Sequence, residues 1–147
     1  MPPEKVAFVG VGNRDKGDDA IGPLIIDRLK GKAPNAIDAG PTPEDFTGEI
    51  RKTMPKAIVF VDALFMKDLP PGAPAIAEIE EIGHYHETTH AYTMDVVMEY
   101  LKDETRADVF MIGIQPARIA FGEGLSPAMG DAQEKIVRCI LAAIKKC

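Results

Sequence analysis

The fold of this chain is decided by residues 6–29, which read VAFVGVGNRDKGDDAIGPLIIDRL. An apolar, β-branched run at residues 6–11 is typical of a buried parallel strand. A glycine-containing loop follows, and residues 18–29 then carry apolar side chains at helical spacing, from Ile21 to Leu29. The stretch predicts a strand, a tight loop and a helix, which together form the first unit of an alternating fold.

The same alternation continues along the chain. Further strands are predicted at residues 36–38, 57–61 and 109–114, and further helices at residues 43–54, 94–101 and 127–144. Residues 75–82 follow the proline-rich loop LPPGAP and alternate in polarity, which predicts an antiparallel edge strand. Together these patterns indicate an α/β protein, a three-layer αβα sandwich with a mostly parallel central sheet.

Length and composition fit one domain, residues 1–147, of which 46% are hydrophobic. The net charge of -6, from 17 basic and 23 acidic residues, opposes binding to nucleic acid or to an anionic membrane. No apolar segment reaches the roughly 18 residues that would span a bilayer, and the first residues lack the pattern of a secretory leader. We therefore expect a cytoplasmic protein whose partner is another protein.

The two cysteines, Cys139 and Cys147, lie eight residues apart in a helical pattern. This spacing does not match a C-x-x-C redox or zinc motif. We expect a buried core thiol and a frayed terminal one.

The glycine loop at residues 10–17 does not have the spacing of a phosphate-binding loop. A dinucleotide fingerprint needs its third glycine three residues after the second, whereas Gly17 lies five residues after Gly12. A P-loop needs lysine and a hydroxyl residue at the positions that Asp18 and Asp19 occupy. Because carboxylates repel phosphate, the loop indicates a positively charged ligand.

Carboxylates follow three of the predicted strands, where the ligands of open α/β sheets bind. Asp18 and Asp19 open the first helix, Asp38 ends the short second strand, and Asp62 ends the third. Each has an alternative structural explanation. Helix capping would account for Asp18 or Asp19 and for Asp38, and an Asx turn would account for Asp62.

All three histidines lie in one short segment, at His84, His86 and His90. His90 directly precedes a predicted helix and should therefore lie near the same edge of the sheet. Together with Asp19 and Asp62 it forms a set of two carboxylates and one imidazole. Such a set suits a divalent transition ion, and its spacing does not choose among nickel, zinc, manganese and iron.

These segments resemble the endopeptidases that trim the C-terminus of the large subunit of nickel-iron hydrogenases. The resemblance runs through nearly the whole chain, in VGVGNRDKGDDAIGP, DAGPTPEDFTGEIR, IVFVDA, PGAPAIAEIEEI, TTHAYTMDVVMEYL and FMIGIQPARIAFGEGLSP. It implies a hydrogenase-maturation-protease fold. The sequence departs from the family at Ala39, where the DGGT-like loop after the second strand usually has glycine.

The resemblance also implies roles for individual residues. Asp19, Asp62 and His90 would be the metal ligands, and Asp38 would be the catalytically important aspartate of an aspartic-type endopeptidase. The recognised metal would be nickel, supplied by the immature hydrogenase subunit, although other divalent ions would suit the same ligands in its absence. A water would attack the scissile carbonyl, activated either by a carboxylate such as Asp38 or by the metal as a Lewis acid.

Three other kinds of protein fit parts of the pattern. A phosphoacceptor receiver domain also carries an acidic pair and a third-strand aspartate, but it has a Lys-Pro pair where this chain has Gln115-Pro116. A non-catalytic hydrogenase-associated subunit would lack the metal ligands that this chain keeps. A general metallopeptidase would hold a permanent ion of its own.

Overall fold

The computed structural model describes residues 1–82 and 94–145. The strands are β1 (Val6–Val11), β2 (Asn35–Gly40), β3 (Ala57–Ala63), β4 (Pro74–Glu78) and β5 (Asp108–Ile114). The helices are α1 (Ile21–Leu29), α2 (Thr47–Lys52), α3 (Ile79–Ile82), α4 (Met94–Thr105) and α5 (Pro127–Lys145). Short 3₁₀ turns occupy Pro3–Lys5, Gly17–Ala20 and Pro43–Phe46.

The strands form one five-stranded sheet in the order β2-β1-β3-β5-β4. Strands β1, β2, β3 and β5 are mutually parallel, and β4 pairs with β5 in the antiparallel direction. One face of the sheet carries an apolar cluster with α2, α3 and α4, and the other carries a cluster with α1 and α5. The predicted three-layer sandwich with an antiparallel edge strand is confirmed.

The prediction of a strand over residues 75–82 is correct for its first half only. The strand ends at Glu78, and α3 follows at Ile79–Ile82. The Glu81 carboxylate accepts a hydrogen bond from the backbone N–H of Glu78, as the glutamate of a capping box does. Ile79 and Ile82, three residues apart, are both buried by this turn of helix.

Cys139 is exposed on α5, so the prediction of a core thiol is wrong at this position. The buried stripe of the helix is formed by Met129, Ala132, Ile136, Val137 and Ile140, and Cys139 lies beside it. Cys147 lies outside the described residues. Among the residues that the structure does describe, no helix is both long enough and apolar enough to cross a bilayer.

Helix α1 lies unusually close to the sheet because glycines occupy both sides of the contact. A Cβ atom on Gly22 would lie 2.4 Å from the carbonyl oxygens of Val11 and Val61, at the ends of β1 and β3. On the strand side, a Cβ on Gly10 would lie 2.6 Å from the carbonyl oxygen of Gly22. The first turn of α1 therefore lies against the backbones of both β1 and β3.

We expect Gly22→Ala to destabilise the fold by about 3 kcal/mol, because the added methyl group would overlap two backbone oxygens that belong to the sheet. The measurement is urea unfolding followed by circular dichroism. Gly130→Ala in α5 is the matched control, since nothing lies within 4 Å of its Cβ position. That variant should gain stability by up to about 1 kcal/mol from helix propensity. Equal effects at the two sites would contradict the close contact.

Candidate active site

The carboxyl ends of the four parallel strands meet at one edge of the sheet. We call this edge the rim, and it consists of the last residues of these strands, including Asp38 and Asp62, and of the loops at residues 12–20, 41–46, 64–73 and 115–126. Three of its aspartates are the buried charged side chains among the described residues, with exposed fractions of 1% for Asp18, 2% for Asp19 and 3% for Asp62. Asp38 also lies at the rim, with 22% of its side chain exposed.

Asp18 is a structural residue that joins two rim loops. Its Oδ2 accepts hydrogen bonds from the backbone N–H groups of Ala117 and Arg118, at 2.8 and 3.0 Å, and from the Ser126 hydroxyl, at 2.9 Å. Its Oδ1 accepts from the backbone N–H of Ser126 at 2.7 Å. Burial raises the pKa of Asp18, but the hydrogen bonds from Ser126, Arg118 and Ala117 outweigh burial and hold that pKa below the ordinary value.

Asp19 faces the other way, into the glycine loop. Its Oδ2 accepts a hydrogen bond from the backbone N–H of Asn13 at 2.9 Å. Gly12 adopts φ 146°, and a Cβ there would lie 1.9 Å from the Asp19 carbonyl oxygen, so the loop closes tightly around this residue. The N-cap residues of the 3₁₀ turn and of α1 are Lys16 and Ala20, and neither makes a side-chain capping hydrogen bond. Helix capping is therefore the wrong explanation for Asp18, whose four hydrogen bonds come from Ala117, Arg118 and Ser126.

Asp62 is the penultimate residue of β3 and pairs in register with Gly113 of β5. The 3₁₀ turn that carries Asp19 contacts β3, and the close approach of Gly22 to Val61 fixes that contact. The structure therefore brings Asp19 and Asp62 to the same part of the rim.

The third predicted ligand, His90, lies outside the described residues, as do His84 and His86. Within residues 1–82 and 94–145, no group of three histidine, cysteine or acidic side chains has the arrangement of a metal site. The three-ligand site thus stays a prediction, of which the structure describes the two carboxylates.

Asp38 lies on β2, in the same row across the sheet as Gly10 and Val61. Its Oδ1 accepts a hydrogen bond from the backbone N–H of Gly40 at 2.9 Å, and its Oδ2 accepts one from Arg14 at 2.7 Å. The Ala39 departure leaves this turn intact, because Ala39 is buried and the positive φ of 57° falls on Gly40. Asp38 makes no side-chain cap for the following 3₁₀ turn, whose N-cap is Thr42.

Arg14 is a rim residue whose contacts the sequence patterns did not indicate. Its guanidinium donates two hydrogen bonds to Asp27 on α1, at 2.7 and 2.8 Å, in addition to the one to Asp38. These hydrogen bonds lower the pKa of Asp27 and raise that of Arg14. The available signal was an arginine within a loop, residues 12–20, that contains three aspartates and two glycines, but nothing in its spacing identifies the two partners.

Comparison with known proteins identifies the family. The model of the hydrogenase maturation protease family matches residues 25–143. The chain belongs to the hydrogenase maturation protease family. It is 32% identical to the hydrogenase 3 maturation protease of Escherichia coli K12, over 86% of this chain and 82% of that protein.

Solved structures of other family members have the same fold. The crystal structure of the [NiFe] hydrogenase maturation protease HycI from Thermococcus kodakarensis superposes with a TM-score of 0.88 at 29% identity, over 97% of this chain and 93% of the other. The solution structure of the endopeptidase HycI from Escherichia coli gives a TM-score of 0.84 at 29% identity, over 97% and 90%. The protein is accordingly a peptidase that acts in hydrogenase maturation.

The family assignment decides against a receiver domain and against a non-catalytic subunit. The topology agrees, since the doubly wound order 2-1-3-4-5 of receivers differs from the order β2-β1-β3-β5-β4 found here. At the position of the receiver lysine, Gln115 has a structural role. Its side-chain oxygen accepts a hydrogen bond from the backbone N–H of Met66 at 2.6 Å and so ties down the loop at residues 64–73.

We expect Asp18→Asn to destabilise the protein by about 3 kcal/mol at pH 7, because an amide cannot accept all four hydrogen bonds and places its own N–H₂ against buried donors. Urea unfolding measures the loss. Asp15→Asn in the exposed part of the same loop is the control and should change the free energy of unfolding by less than about 0.5 kcal/mol.

The unmodified protein and the Asp18→Asn variant also allow a test of pH dependence. Since the pKa of Asp18 is lowered in the folded state, its contribution is fully present above the ordinary aspartate pKa of about 4 and is lost as the pH falls through the folded value. The stability difference between the unmodified protein and Asp18→Asn should therefore shrink below about pH 4. A difference that stays constant down to pH 2 would contradict this role.

Proposed function

We propose that this peptidase removes a C-terminal peptide from the precursor of a [NiFe]-hydrogenase large subunit, and that it recognises the nickel already present in that substrate. Asp19, Asp62 and His90 would bind the nickel, and Asp38 would act as the general base. The observation that carries the proposal is the presence of two nearly fully buried carboxylates, Asp19 and Asp62, at the same part of the rim.

The chemistry of these two side chains fits a metal carried by the substrate. Burying a carboxylate costs free energy, and two carboxylates at one place also repel each other. An approaching divalent ion would reduce the repulsion between them, and carboxylate and imidazole are suitable ligands for nickel. A substrate without its metal would bring no such compensation, so the same residues would distinguish loaded from unloaded precursor.

The position of Asp38 suits a role in hydrolysis next to that recognition site. One strand, β1, separates Asp38 from β3, so the Cα atoms of Asp38 and Val61 lie roughly 10 Å apart, two strand spacings. This separation leaves room for a peptide segment held by a metal ligated at Asp19 and Asp62. The metal, when bound, would orient the scissile bond and could polarise its carbonyl.

Asp38 keeps the capacity to accept a further proton donor. Each carboxylate oxygen accepts up to two hydrogen bonds, and each oxygen of Asp38 accepts one from the described residues, from Gly40 or Arg14. A water at the remaining acceptor sites would lose its proton to Asp38 while its oxygen attacks the scissile carbonyl carbon. Breakdown of the tetrahedral intermediate would return that proton to the leaving amine.

Docking of the precursor would use the rim loops around this site. The loop at residues 64–74 is fixed to β5 through Gln115, and the segment at residues 83–89, also expected to contribute, lies outside the described residues. The net charge of -6 fits a protein partner better than nucleic acid or a membrane, and the expected location is the cytoplasm.

The metal requirement is tested by intact-mass analysis of nickel-loaded and nickel-free precursors, each incubated with the protein. We expect loss of a C-terminal fragment from the loaded precursor only, because only the loaded substrate carries the ion that the ligands bind. His90→Ala and Asp62→Asn should lose this cleavage, whereas Asp131→Asn on the exposed side of α5 should retain it. Equal cleavage of both precursors would discard recognition through nickel.

We expect Asp38→Asn to lower the cleavage rate at least about 100-fold, because the amide cannot take the proton of the attacking water. The rate is followed by mass spectrometry with the nickel-loaded precursor. Asp103→Asn, the same change at an exposed position on α4 outside the rim, should keep the normal rate. Normal cleavage by a folded Asp38→Asn protein would remove Asp38 from the role of base.

A further inference from the structure

Arg14 connects three elements of the fold through one guanidinium group. Arg14 itself lies in the loop after β1, Asp27 lies on α1, and Asp38 lies on β2. The two contacts to Asp27, at 2.7 and 2.8 Å, are made by different nitrogens to different oxygens, and the contact to Asp38 is 2.7 Å. The guanidinium thus binds Asp27 through both terminal nitrogens, and one of these nitrogens also donates a hydrogen bond to Asp38.

Stability alone does not account for this arrangement. The side chains of Arg14 and Asp27 are each 43% exposed, and ion pairs at such exposure contribute little to the free energy of folding. A paired fork nevertheless fixes the plane of the guanidinium much better than a single contact would. Asp27 therefore acts as the anchor, and Arg14 presents a donor in a defined position.

The donor falls on the oxygen of Asp38 that the backbone leaves unbound. The Gly40 N–H holds Oδ1, and Arg14 holds Oδ2. A single hydrogen bond would allow the carboxylate to rotate about its Cβ–Cγ bond, whereas one on each oxygen fixes its plane. The acceptor sites that remain on the two oxygens then point in fixed directions.

We propose that Arg14 is a positioning residue, which, anchored by Asp27, fixes the orientation of the Asp38 carboxylate for its reaction with water. This inference rests on the role of Asp38 in the proposed function. A base that must meet a water and a carbonyl carbon at the same time loses rate when its carboxylate rotates, because the reactive geometry is then populated less often.

The test measures kcat and KM separately for cleavage of the nickel-loaded precursor. Arg14→Ala should lower kcat about 30-fold with KM within about twofold of normal, since orientation of the base is lost while substrate binding is kept. Arg14→Lys should recover part of the rate, because its ammonium can donate to Asp38 without the fork. Asp27→Asn should lower kcat about fivefold by loosening the anchor.

The matched control is Arg28→Ala. Arg28 lies next to Asp27 in sequence, is 41% exposed, and donates to both oxygens of Glu134 on α5, away from the rim. Its loss should leave kcat unchanged. A similar fall in kcat for Arg28→Ala would mean that the effect of Arg14→Ala comes from a general loss of surface ion pairs. A rise in kcat for Arg14→Ala would mean that Arg14 holds Asp38 in an unreactive orientation. Either result overturns the inference.

Two further measurements separate this inference from the proposed function. In an Asp38→Asn background, Arg14→Ala should have no additional effect on the residual rate, whereas independent contributions would multiply. The carboxyl pKa of Asp27, which is low chiefly because of the hydrogen bond from Arg14, should rise in Arg14→Ala when followed by NMR. An unchanged Asp27 titration would overturn the arrangement without reference to catalysis.

The outcomes identify which claim fails. Loss of cleavage in Asp38→Asn combined with normal kcat in Arg14→Ala would overturn the positioning role and leave the proposed base in place. Normal cleavage in Asp38→Asn would overturn the base, and with it the positioning role, even if the Asp27 titration responds to Arg14→Ala. An unchanged urea midpoint in each variant establishes that the rates compare folded proteins.

Discussion

The close approach of α1 to the sheet is the constraint on which the rim depends. With hydrogen atoms in place of side chains at Gly10 and Gly22, the first turn of α1 lies directly against the ends of β1 and β3. This contact fixes the depth of the preceding 3₁₀ turn and therefore the position of Asp19 relative to Asp62. A larger residue on either side would lift the helix and separate the two carboxylates, even though neither glycine takes part in any chemistry.

Adjacent aspartates on that turn have different surroundings because their carboxylates bind different loops. Asp18 is surrounded by four hydrogen-bond donors from the loop at residues 115–126 and remains ionised inside the protein. The Asp19 carboxylate accepts a hydrogen bond from the Asn13 N–H in the glycine loop, and the turn that carries Asp19 contacts β3. The negative charge of Asp18 is thus balanced by hydrogen bonds from that loop, and in the proposed function it is Asp19 that would bind a cation.

The sequence predicted features that depend on local pattern. Apolar runs located β1, β3 and β5, alternating polarity located β4, and helical spacing located the four longer helices, because burial on a sheet face or a helix stripe leaves a periodic trace. The end of β4 at Glu78 was missed, since it depends on a side-chain contact from Glu81. The role of Asp18 and the partners of Arg14 were missed because they depend on residues that are distant in sequence, up to 108 positions for Asp18. Strand-end carboxylates and the histidine segment indicated Asp19, Asp62 and His90 as candidate ligands, and the family resemblance supplied the role of Asp38. No local pattern would have paired Asp38 with Arg14.

The reach of Asp18 along the chain also bears on when the protein becomes competent during its synthesis. Its hydrogen-bond partners lie 99 to 108 residues downstream, so most of the chain lies between Asp18 and these partners. On the ribosome β1, β2 and β3 can pair early, but β5, which lies between β3 and β4, and Ser126 emerge much later. In a nascent or truncated chain, Asp18 and Asp19 therefore lie at a sheet edge that still lacks β5 and the loop at residues 115–126. Proteolytic competence that depends on the Asp18 contacts would arise only once almost the entire polypeptide is available.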